Sequence, residues 1–379
     1  MERSETLPVG VDGGGGRWRR CHAVMLAIGR GNRQGRTMTG VSAESTIIRD
    51  ATWLAHRYDP GHDAFHFRHL SRARRAEVPF LTDDYLGEEK SPLVLQRSDC
   101  TAAISGQAAV PLHFLFHSAY CASTMLVQAI GQCGAATSLS EPVLLNDMVG
   151  WRRRGADPRQ HGRVMYDALS LLGRGFGADR AVVVKPSNIF NPLARGAMML
   201  RPEARAILLY APLRAFLLSV ARKGLACRLW CRELLEGYLA DGFVTFGFDA
   251  RDYFRQSDLQ IAAVGWLAQQ QAFAALEQWA PDRIATLDSE SLTSAPTAAI
   301  AAAMDHYQIS VPNDRTTEIA VVSRNSKSGA PFAVGERQRD LAAAEVAYGV
   351  EIDQVVTWAT ALAEQADIPF ALPGQLILN

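Results

Sequence analysis

The sequence predicts an α/β fold in three layers, α/β/α, with a central parallel sheet. Four short apolar runs bounded by turn residues have the length and continuity of strands buried on both faces. Segments with helical periodicity lie between these runs, and such alternation is typical of parallel α/β folds. The predicted strands are residues 112–116, 181–184, 206–210 and 284–287, and the predicted helices are residues 124–132, 164–172, 215–223, 259–279, 298–306 and 350–366.

The residues before this α/β region are of two kinds. Residues 1–45 are rich in Gly and Arg and have few periodic apolar positions, so we predict a disordered tail. Residues 46–110 begin with a predicted helix over 46–57 and continue as an irregular segment with aromatic anchors. We expect this segment to pack on the main domain, which is predicted to span residues 111–379.

The composition argues against several classes of protein. The chain has 379 residues, with 39 basic and 39 acidic side chains, and this balance does not indicate a general nucleic-acid binder. No apolar run is long enough to span a membrane. The six cysteines form no C-x-x-C pair, so we expect no metal site. With no recognisable secretory signal, we predict a cytoplasmic protein with reduced thiols.

Ligands in sheets of this kind bind outside the carboxyl ends of the strands. After the first predicted strand come His117 and a run of small and hydroxyl-bearing residues that leads into a helix. The first N–H groups of a helix lack internal partners and lie at the positive end of its dipole, so this order suits a phosphate. The alternative is an ordinary turn capped by Ser123 or Thr124. The motif G-x-x-x-x-G-K-[ST] is absent.

Two charged residues are candidates for the same edge of the sheet. Glu141 follows the first predicted helix and is either a general base or an exposed loop acid. Lys185 ends the run VVVK, where it either reaches a phosphate or a leaving oxygen, or points to water as an edge charge. Cys121 lies in the first loop near a helix start, where a thiol is either activated or simply small and buried.

The helix after the third strand carries a hydroxyl and two cations on one face. Ser219, Arg222 and Lys223 are spaced i, i+3 and i+4, which suits a terminal phosphate. The alternative is that the two cations are ordinary residues of a helix C-terminus, because Gly224 follows them. Near the end of the chain, residues 324–332 form a polar loop that either folds over a nucleotide or is simply mobile.

Taken together, these segments resemble the P-loop-like sulfotransferases that use 3′-phosphoadenosine 5′-phosphosulfate. That family has a phosphosulfate loop of the form [KR]-S-G-[ST]-T after its first strand, and residues 120–126 stand there. Its R-x-P turn and helical Ser are matched by residues 210–212 and Ser219, and its E-x-L-x-x-x-P-like segment by residues 290–296. Trp266 in the long helix and Glu141-Pro142 after the first helix also fit the pattern. The resemblance covers residues 110–365.

The resemblance implies a P-loop-like domain that transfers a sulfuryl group to a hydroxyl or amine acceptor, a small molecule or a carbohydrate, without a metal. Glu141, or else His117, would take the acceptor proton. The loop that would hold the 5′-phosphosulfate consists of Ser118, Ala119, Tyr120, Cys121, Ala122, Ser123 and Thr124. The residues that would hold the 3′-phosphate side are Ser219, Arg222, Arg214 and, in the C-terminal loop, Lys327.

Two positions depart from the family pattern. Tyr120 replaces the basic residue that opens the loop, and Tyr210 replaces the arginine of the R-x-P turn. Loss of one preorganised donor costs about 3 kcal/mol of transition-state stabilisation. Either another cation therefore substitutes, with Lys185 and Arg222 as the candidates, or the donor specificity or the activity is altered. Two alternatives stay open. One is a non-catalytic nucleotide-binding or scaffold protein on this fold, and the other is a P-loop kinase-like phosphotransferase using ATP, with Asp288 as its candidate acid.

Overall fold

The computed structural model describes residues 43–106, 109–310 and 336–377. The predicted tail, apart from its last three residues, and the loop 324–332 with Lys327 lie outside these ranges. None of the described helices is long and apolar enough to cross a membrane.

The first described range contains a small antiparallel sheet with short helices around it. Its strands pair in the order β1-β2-β3. In chain order the elements are α1 (Ala43–Arg49), β1 (Trp53–Asp59), β2 (Ala64–His69), α2 (Arg72–Glu77), α3 (Asp83–Leu86), β3 (Leu93–Gln96) and α4 (Arg97–Ile104).

The remaining ranges contain a five-stranded sheet and the helices that flank it. Its elements begin with β4 (Leu112–His117), α5 (Ser123–Gln132), β5 (Ala136–Ser140), α6 (Val143–Arg153), α7 (Pro158–Leu172), β6 (Ala181–Lys185), a 3-10 helix (Asn188–Leu193) and α8 (Ala194–Leu200). They continue with β7 (Ala206–Tyr210), α9 (Leu213–Arg222), α10 (Gly224–Ala240), α11 (Ala250–Arg255), α12 (Asp258–Trp279), β8 (Ile284–Asp288), α13 (Ser289–Ser294), α14 (Pro296–His306) and α15 (Glu336–Gln365).

All neighbouring strands of the large sheet run parallel, in the order β5-β6-β4-β7-β8. The predicted fold class is therefore confirmed, and so are the four predicted strands, three of which extend one residue further than predicted. The first strand, β4, lies at the centre of the sheet. The chain leaves β4 toward β5 on one side and leaves β7 toward β8 on the other, which opens a crevice at the carboxyl ends of these central strands.

The sequence analysis missed β5, because its residues ATSLS do not form an apolar run. All five residues are nevertheless buried, and the hydroxyl groups of Thr137 and Ser140 have partners inside the protein. Thr137 donates to the carboxylate of Asp179, and Ser140 donates to the carbonyl of Pro79 over 2.6 Å. Small polar residues can therefore form a buried edge strand when neighbouring segments satisfy their hydrogen bonds.

The prediction for the N-terminal segment was wrong in detail. The predicted helix over residues 46–57 ends at Arg49, and β1 begins at Trp53. The residues that were predicted to be irregular form β2, β3 and three short helices. Short antiparallel strands give a weak local signal, because they depend on the pairing of partners that are distant in sequence. Buried side chains of both sheets belong to one continuous hydrophobic core.

An arginine of β1 ties the small sheet to the main domain. The register of β1 against β2 shifts between Ala55 and Arg57, as in a β-bulge, which redirects the side chains at this point. Arg57 donates from Nε and Nη2 to both carboxylate oxygens of Asp147 in α6, over 2.9 and 2.8 Å. Its Nη1 donates to Asp83 in α3 over 2.7 Å, and Asp83 also contacts His56.

We expect Asp147→Asn to lower the free energy of unfolding by about 1–3 kcal/mol, because the bidentate, charge-assisted pair is lost from a site where only 15% of the Asp147 side chain is exposed. Urea denaturation measures this change. Glu77→Gln is the control: its exposed pair with Arg74 is 3.5 Å long, so the change should stay within about 0.5 kcal/mol. Equal effects of the two substitutions would show that the Arg57–Asp147 pair does not hold the two parts together.

Candidate functional site

The loop after β4 is tied to the end of β7. Ser118 is fully buried, and its N–H donates to the carbonyl of Leu209 over 3.0 Å. The N–H of Ala211 donates in turn to the hydroxyl oxygen of Ser118 over 3.2 Å. The indole of Trp266 in α12 donates to the carbonyl of Ala211 over 2.8 Å. The start of the loop is therefore held in a single position between the two central strands.

The loop has a strained backbone. Ala119, Tyr120 and Ala122 have φ angles of 72°, 51° and 63°, in the left-handed region that favours glycine. Each such residue costs roughly 1–2 kcal/mol, and conformations of this kind cluster where a backbone clamps a ligand.

The N-terminus of α5 lacks a side-chain cap. Ala122 is the N-cap residue, and Ser123 and Thr124 already belong to the first turn of the helix. The turn capped by Ser123 or Thr124, which was the alternative interpretation of this segment, is therefore not the arrangement that forms. Without a side-chain oxygen from the N-cap, the first N–H groups of α5 are suited to an anion.

Glu141 and Lys185 meet at the ends of β5 and β6. The ammonium group of Lys185, which is completely buried, donates to Oε1 of Glu141, whose side chain is 17% exposed. The N–H of Glu141 donates to the carbonyl of Lys185 over 2.6 Å, and Glu141 has a φ of 48°. Glu141 is therefore not an exposed loop acid, and Lys185 does not point to water.

A segment before α3 covers this pair. The Lys185 ammonium lies 4.9 Å from the centroid of the Phe80 ring, within the range of a cation–π contact. The segment is fixed to the end of β5, because Leu81 donates to the carbonyl of Ser140 over 2.7 Å and its own carbonyl accepts from Val143 over 3.1 Å. The N-terminal part of the chain thus supplies one wall of the site.

His117, the last residue of β4, is the third member of this cluster. Its Nδ1 accepts a hydrogen bond from the N–H of Ala119 over 3.1 Å, so a neutral ring carries its proton on Nε2. This Nε2 lies 3.6 Å from Oε1 of Glu141. The imidazole therefore presents a donor to the carboxylate, and the geometry favours Glu141 over His117 as a base.

Two asparagines beyond β6 complete the edge, and sequence reasoning did not select either as a site residue. Asn191 donates to the carbonyl of His117 over 3.1 Å and to Gln269 over 3.0 Å, which fixes the end of β4. Nδ2 of Asn188, three residues after Lys185, is buried and has no hydrogen-bond partner among the residues that the structure describes. An unmet buried donor costs about 1–3 kcal/mol, so this amide favours a ligand or water at the site. The polar sequence directly after the buried strand β6 is the signal that could have identified these two asparagines.

Three of the residues predicted to bind the nucleotide, Ser219, Arg222 and Arg214, each have a partner within the described part of the protein. Arg214 donates to Glu345 and, over 2.7 Å, to Asp353, both in α15. Arg222 pairs with Asp340 of α15 over 2.6 Å. The hydroxyl of Ser219 donates to the carbonyl one turn earlier in α9, over 2.9 Å. No contact in the described ranges joins these residues to Glu141 or Lys185.

The two tyrosines that replace basic residues both serve packing. The hydroxyl of Tyr210 accepts from the N–H of Leu372 over 3.2 Å and from Gln375 over 2.9 Å, and so it binds the C-terminal segment to the sheet. The hydroxyl of Tyr120 lies 2.8 Å from Sγ of Cys227 in α10. Burial, reinforced by Cys227, raises the pKa of Tyr120, which keeps this phenol neutral.

Cys121 and Asp288 are also explained by local structure. Cys121 is fully buried, and burial raises the pKa of its thiol, as expected of a small buried residue rather than a reactive one. Asp288 caps α13, because one carboxylate oxygen accepts from the N–H groups of Glu290 and Ser291, each over 2.9 Å. Within residues 43–106, 109–310 and 336–377, no group of three or more His, Cys, Asp and Glu side chains is arranged to hold a metal ion.

No protein-family model matches the sequence, and no curated protein matches it. Three solved structures are similar at low identity. The sulfotransferase domain from the curacin biosynthetic pathway is 11% identical with a TM-score of 0.37, over 70% of this chain and 100% of that one. The sulfotransferase domain of the Synechococcus PCC 7002 olefin synthase is 9% identical with a TM-score of 0.37, over 64% and 96%. A sulfotransferase from Alicyclobacillus acidocaldarius is 18% identical with a TM-score of 0.35, over 54% and 85%. Similarity at this level carries no conclusion about activity or substrate.

We expect Glu141→Gln to lower the free energy of unfolding by about 3 kcal/mol, because it leaves the buried ammonium of Lys185 without a carboxylate. The double variant Lys185→Met/Glu141→Gln should recover most of this loss, since it removes both charges. Chemical denaturation of the double variant and of the two single variants, Glu141→Gln and Lys185→Met, measures the coupling. The exposed Glu290→Gln is the control and should change stability by less than about 0.5 kcal/mol. A double variant less stable than Glu141→Gln would show that the pair is not coupled.

Proposed function

We propose that this chain is a cytoplasmic sulfotransferase-like enzyme that transfers a sulfuryl group from 3′-phosphoadenosine 5′-phosphosulfate to a hydroxyl or amine acceptor. The observation that carries the proposal is the contact of Glu141, Lys185 and His117 beside the strained loop and the uncapped N-terminus of α5. A base and an anion site thus lie at one edge of the sheet. The sequence motifs support the same function.

In this mechanism the donor binds along the loop, with the backbone N–H groups of residues 120–124 directed at its 5′-phosphosulfate. Glu141 takes the proton of the acceptor hydroxyl or amine as the acceptor atom attacks sulfur. A bond from sulfur to the acceptor forms, the bond from sulfur to the phosphate oxygen breaks, and 3′,5′-adenosine bisphosphate leaves. Lys185 holds the Glu141 carboxylate through their ion pair, and Nε2 of His117 lies 3.6 Å from the same carboxylate oxygen. Positioning and electrostatics supply most of the catalysis, as in phosphoryl transfer.

The 3′-phosphate is proposed to bind Ser219, Arg222 and Arg214, with Lys327 contributing from its loop outside the described residues. Because α15 carboxylates already pair with both arginines, phosphate would have to replace a carboxylate at each of them. These pairs are exposed and individually weak, so the exchange is inexpensive.

A second candidate is a nucleotide-binding member of the same fold that does not catalyse transfer. The observation in its favour is that the two positions with basic residues in the family hold tyrosines engaged in packing. The kinase-like alternative has less support, because its candidate acid Asp288 is used as a helix cap.

Thermal denaturation with and without nucleotide separates the two candidates that bind 3′,5′-adenosine bisphosphate from the kinase-like alternative. We expect 3′,5′-adenosine bisphosphate to stabilise the protein, by about 2.7 kcal/mol at 100 times its dissociation constant. ATP with magnesium should give a much smaller shift. A shift with ATP and magnesium alone would support the kinase-like function, and no shift with either nucleotide would contradict both nucleotide-binding proposals.

We expect Glu141→Gln to abolish sulfuryl transfer, because the amide cannot take the acceptor proton, while bisphosphate binding stays within about twofold. Retained binding also shows that the variant is folded. Glu141→Asp, which keeps the charge on a shorter side chain, should lose less activity than Glu141→Gln. Turnover assays with a panel of hydroxyl and amine acceptors, run beside bisphosphate titrations, measure both quantities. Equal loss of binding and turnover would remove Glu141 from the role of base.

A further inference from the structure

The anion loop contains no basic residue between His117 and the end of the first turn of α5. Sequence reasoning assigned the missing positive charge to Lys185 or Arg222. In the structure Lys185 contacts Glu141, and Arg222 contacts Asp340. A further cation is offered by an element that packs directly against the loop.

The side chain of Tyr120, which belongs to the loop, contacts residues of both α9 and α10. Its hydroxyl lies 2.8 Å from Sγ of Cys227. Its ring packs against Trp230 at a centroid distance of 5.8 Å and an interplanar angle of 77°, and against Phe216 at 6.0 Å. Three neighbours thus fix the orientation of the ring, while the Tyr120 backbone belongs to the strained loop.

Lys223 lies over this ring. Its ammonium is 5.4 Å from the ring centroid, within the range of a cation–π interaction. Lys223 is the C-cap of α9, and Gly224, with a φ of 71°, begins α10. The left-handed glycine turns the chain sharply at this point, so that Lys223 stands at the corner between two helices and beside the loop.

We propose that Lys223 is the anion-binding cation of the loop, and that Tyr120 positions its ammonium group above the bound phosphosulfate. This inference rests on the proposed function and deepens it. A flexible four-carbon side chain carries a point charge that can move from the ring face to a phosphate or sulfate oxygen without losing contact with the ring. Tyrosine at the position of the family's basic residue then has a role, since it guides a cation that comes from a neighbouring helix.

The lysine content of the chain permits a direct test. Lys90, Lys185, Lys223 and Lys327 are its only lysines. Reductive methylation of the full-length protein, followed by mass spectrometry, reports the reactivity of each ammonium group. We expect 3′,5′-adenosine bisphosphate at saturation to slow methylation of Lys223 at least fivefold, and to leave the exposed Lys90 unchanged.

Affinity measurements give the second readout. We expect Lys223→Gln to weaken bisphosphate binding about tenfold, Lys223→Arg to retain most of the affinity, and the control Lys90→Gln to have no effect. Lys223→Gln should also reduce the dependence of affinity on salt concentration, because one ionic contact is lost. Tyr120→Phe, which keeps the ring, should bind nearly normally, whereas Tyr120→Leu should bind weakly and add no further loss in the Lys223→Gln background.

The possible results distinguish the two proposals. If the unmodified protein is not stabilised by bisphosphate, the proposed function fails and this inference fails with it. If the protein binds bisphosphate but Lys223 is methylated at an unchanged rate and Lys223→Gln keeps full affinity, only this inference is overturned. If Tyr120→Leu and Lys223→Gln lower affinity additively, the ring does not act through Lys223, and the positioning role is overturned.

Discussion

The site depends on one contact, the ion pair between Lys185 and Glu141. A lysine at the end of a strand that is buried on both faces cannot keep its charge without an anionic partner, because the cost of removing an ammonium group from water is several kcal/mol. Glu141 supplies that partner only because β5 lies beside β6 in parallel register, with Ser140 opposite Lys185. The left-handed backbone of Glu141 and the cover provided by Phe80 are both consequences of placing this pair at the edge of the sheet.

The contact also explains why the small antiparallel sheet matters to the site. Phe80 and Leu81 are fixed to the end of β5 by backbone hydrogen bonds, and the next helix, α3, is held by Arg57 and His56 of β1. Arg57 is anchored in turn to Asp147 in α6, the helix that follows Glu141. Contacts thus connect β1, α3, β5 and α6 to one another, and together they limit the movement of the Glu141 carboxylate.

Charge is distributed very differently at the two ends of the candidate nucleotide site. Near β5 and β6 the charges are buried and paired one to one, where pairing has a large effect on stability. On α9 the arginines pair with α15 carboxylates that are 39–66% exposed, where solvent weakens each pair. Between these ends, the loop after β4 relies on backbone N–H groups and, in our proposal, on a lysine guided by an aromatic ring. A site built in this way needs no basic side chain within the loop itself.

By itself the sequence determined the fold class, because strands buried on both faces of a parallel sheet are typically continuous apolar runs, and four of the five are. It also identified Glu141, Lys185 and His117 as residues of interest, since topology places the carboxyl ends of parallel strands at one edge. Only the tertiary structure decided the rest. The polar strand β5 forms because Asp179 and Pro79 satisfy its hydroxyl groups. The antiparallel sheet forms through pairing between separate segments, which no local pattern predicts. The partner of each buried charge and the place of Lys223 over Tyr120 depend on side chains that are distant in sequence and meet in space. They could therefore not be predicted from spacing along the chain.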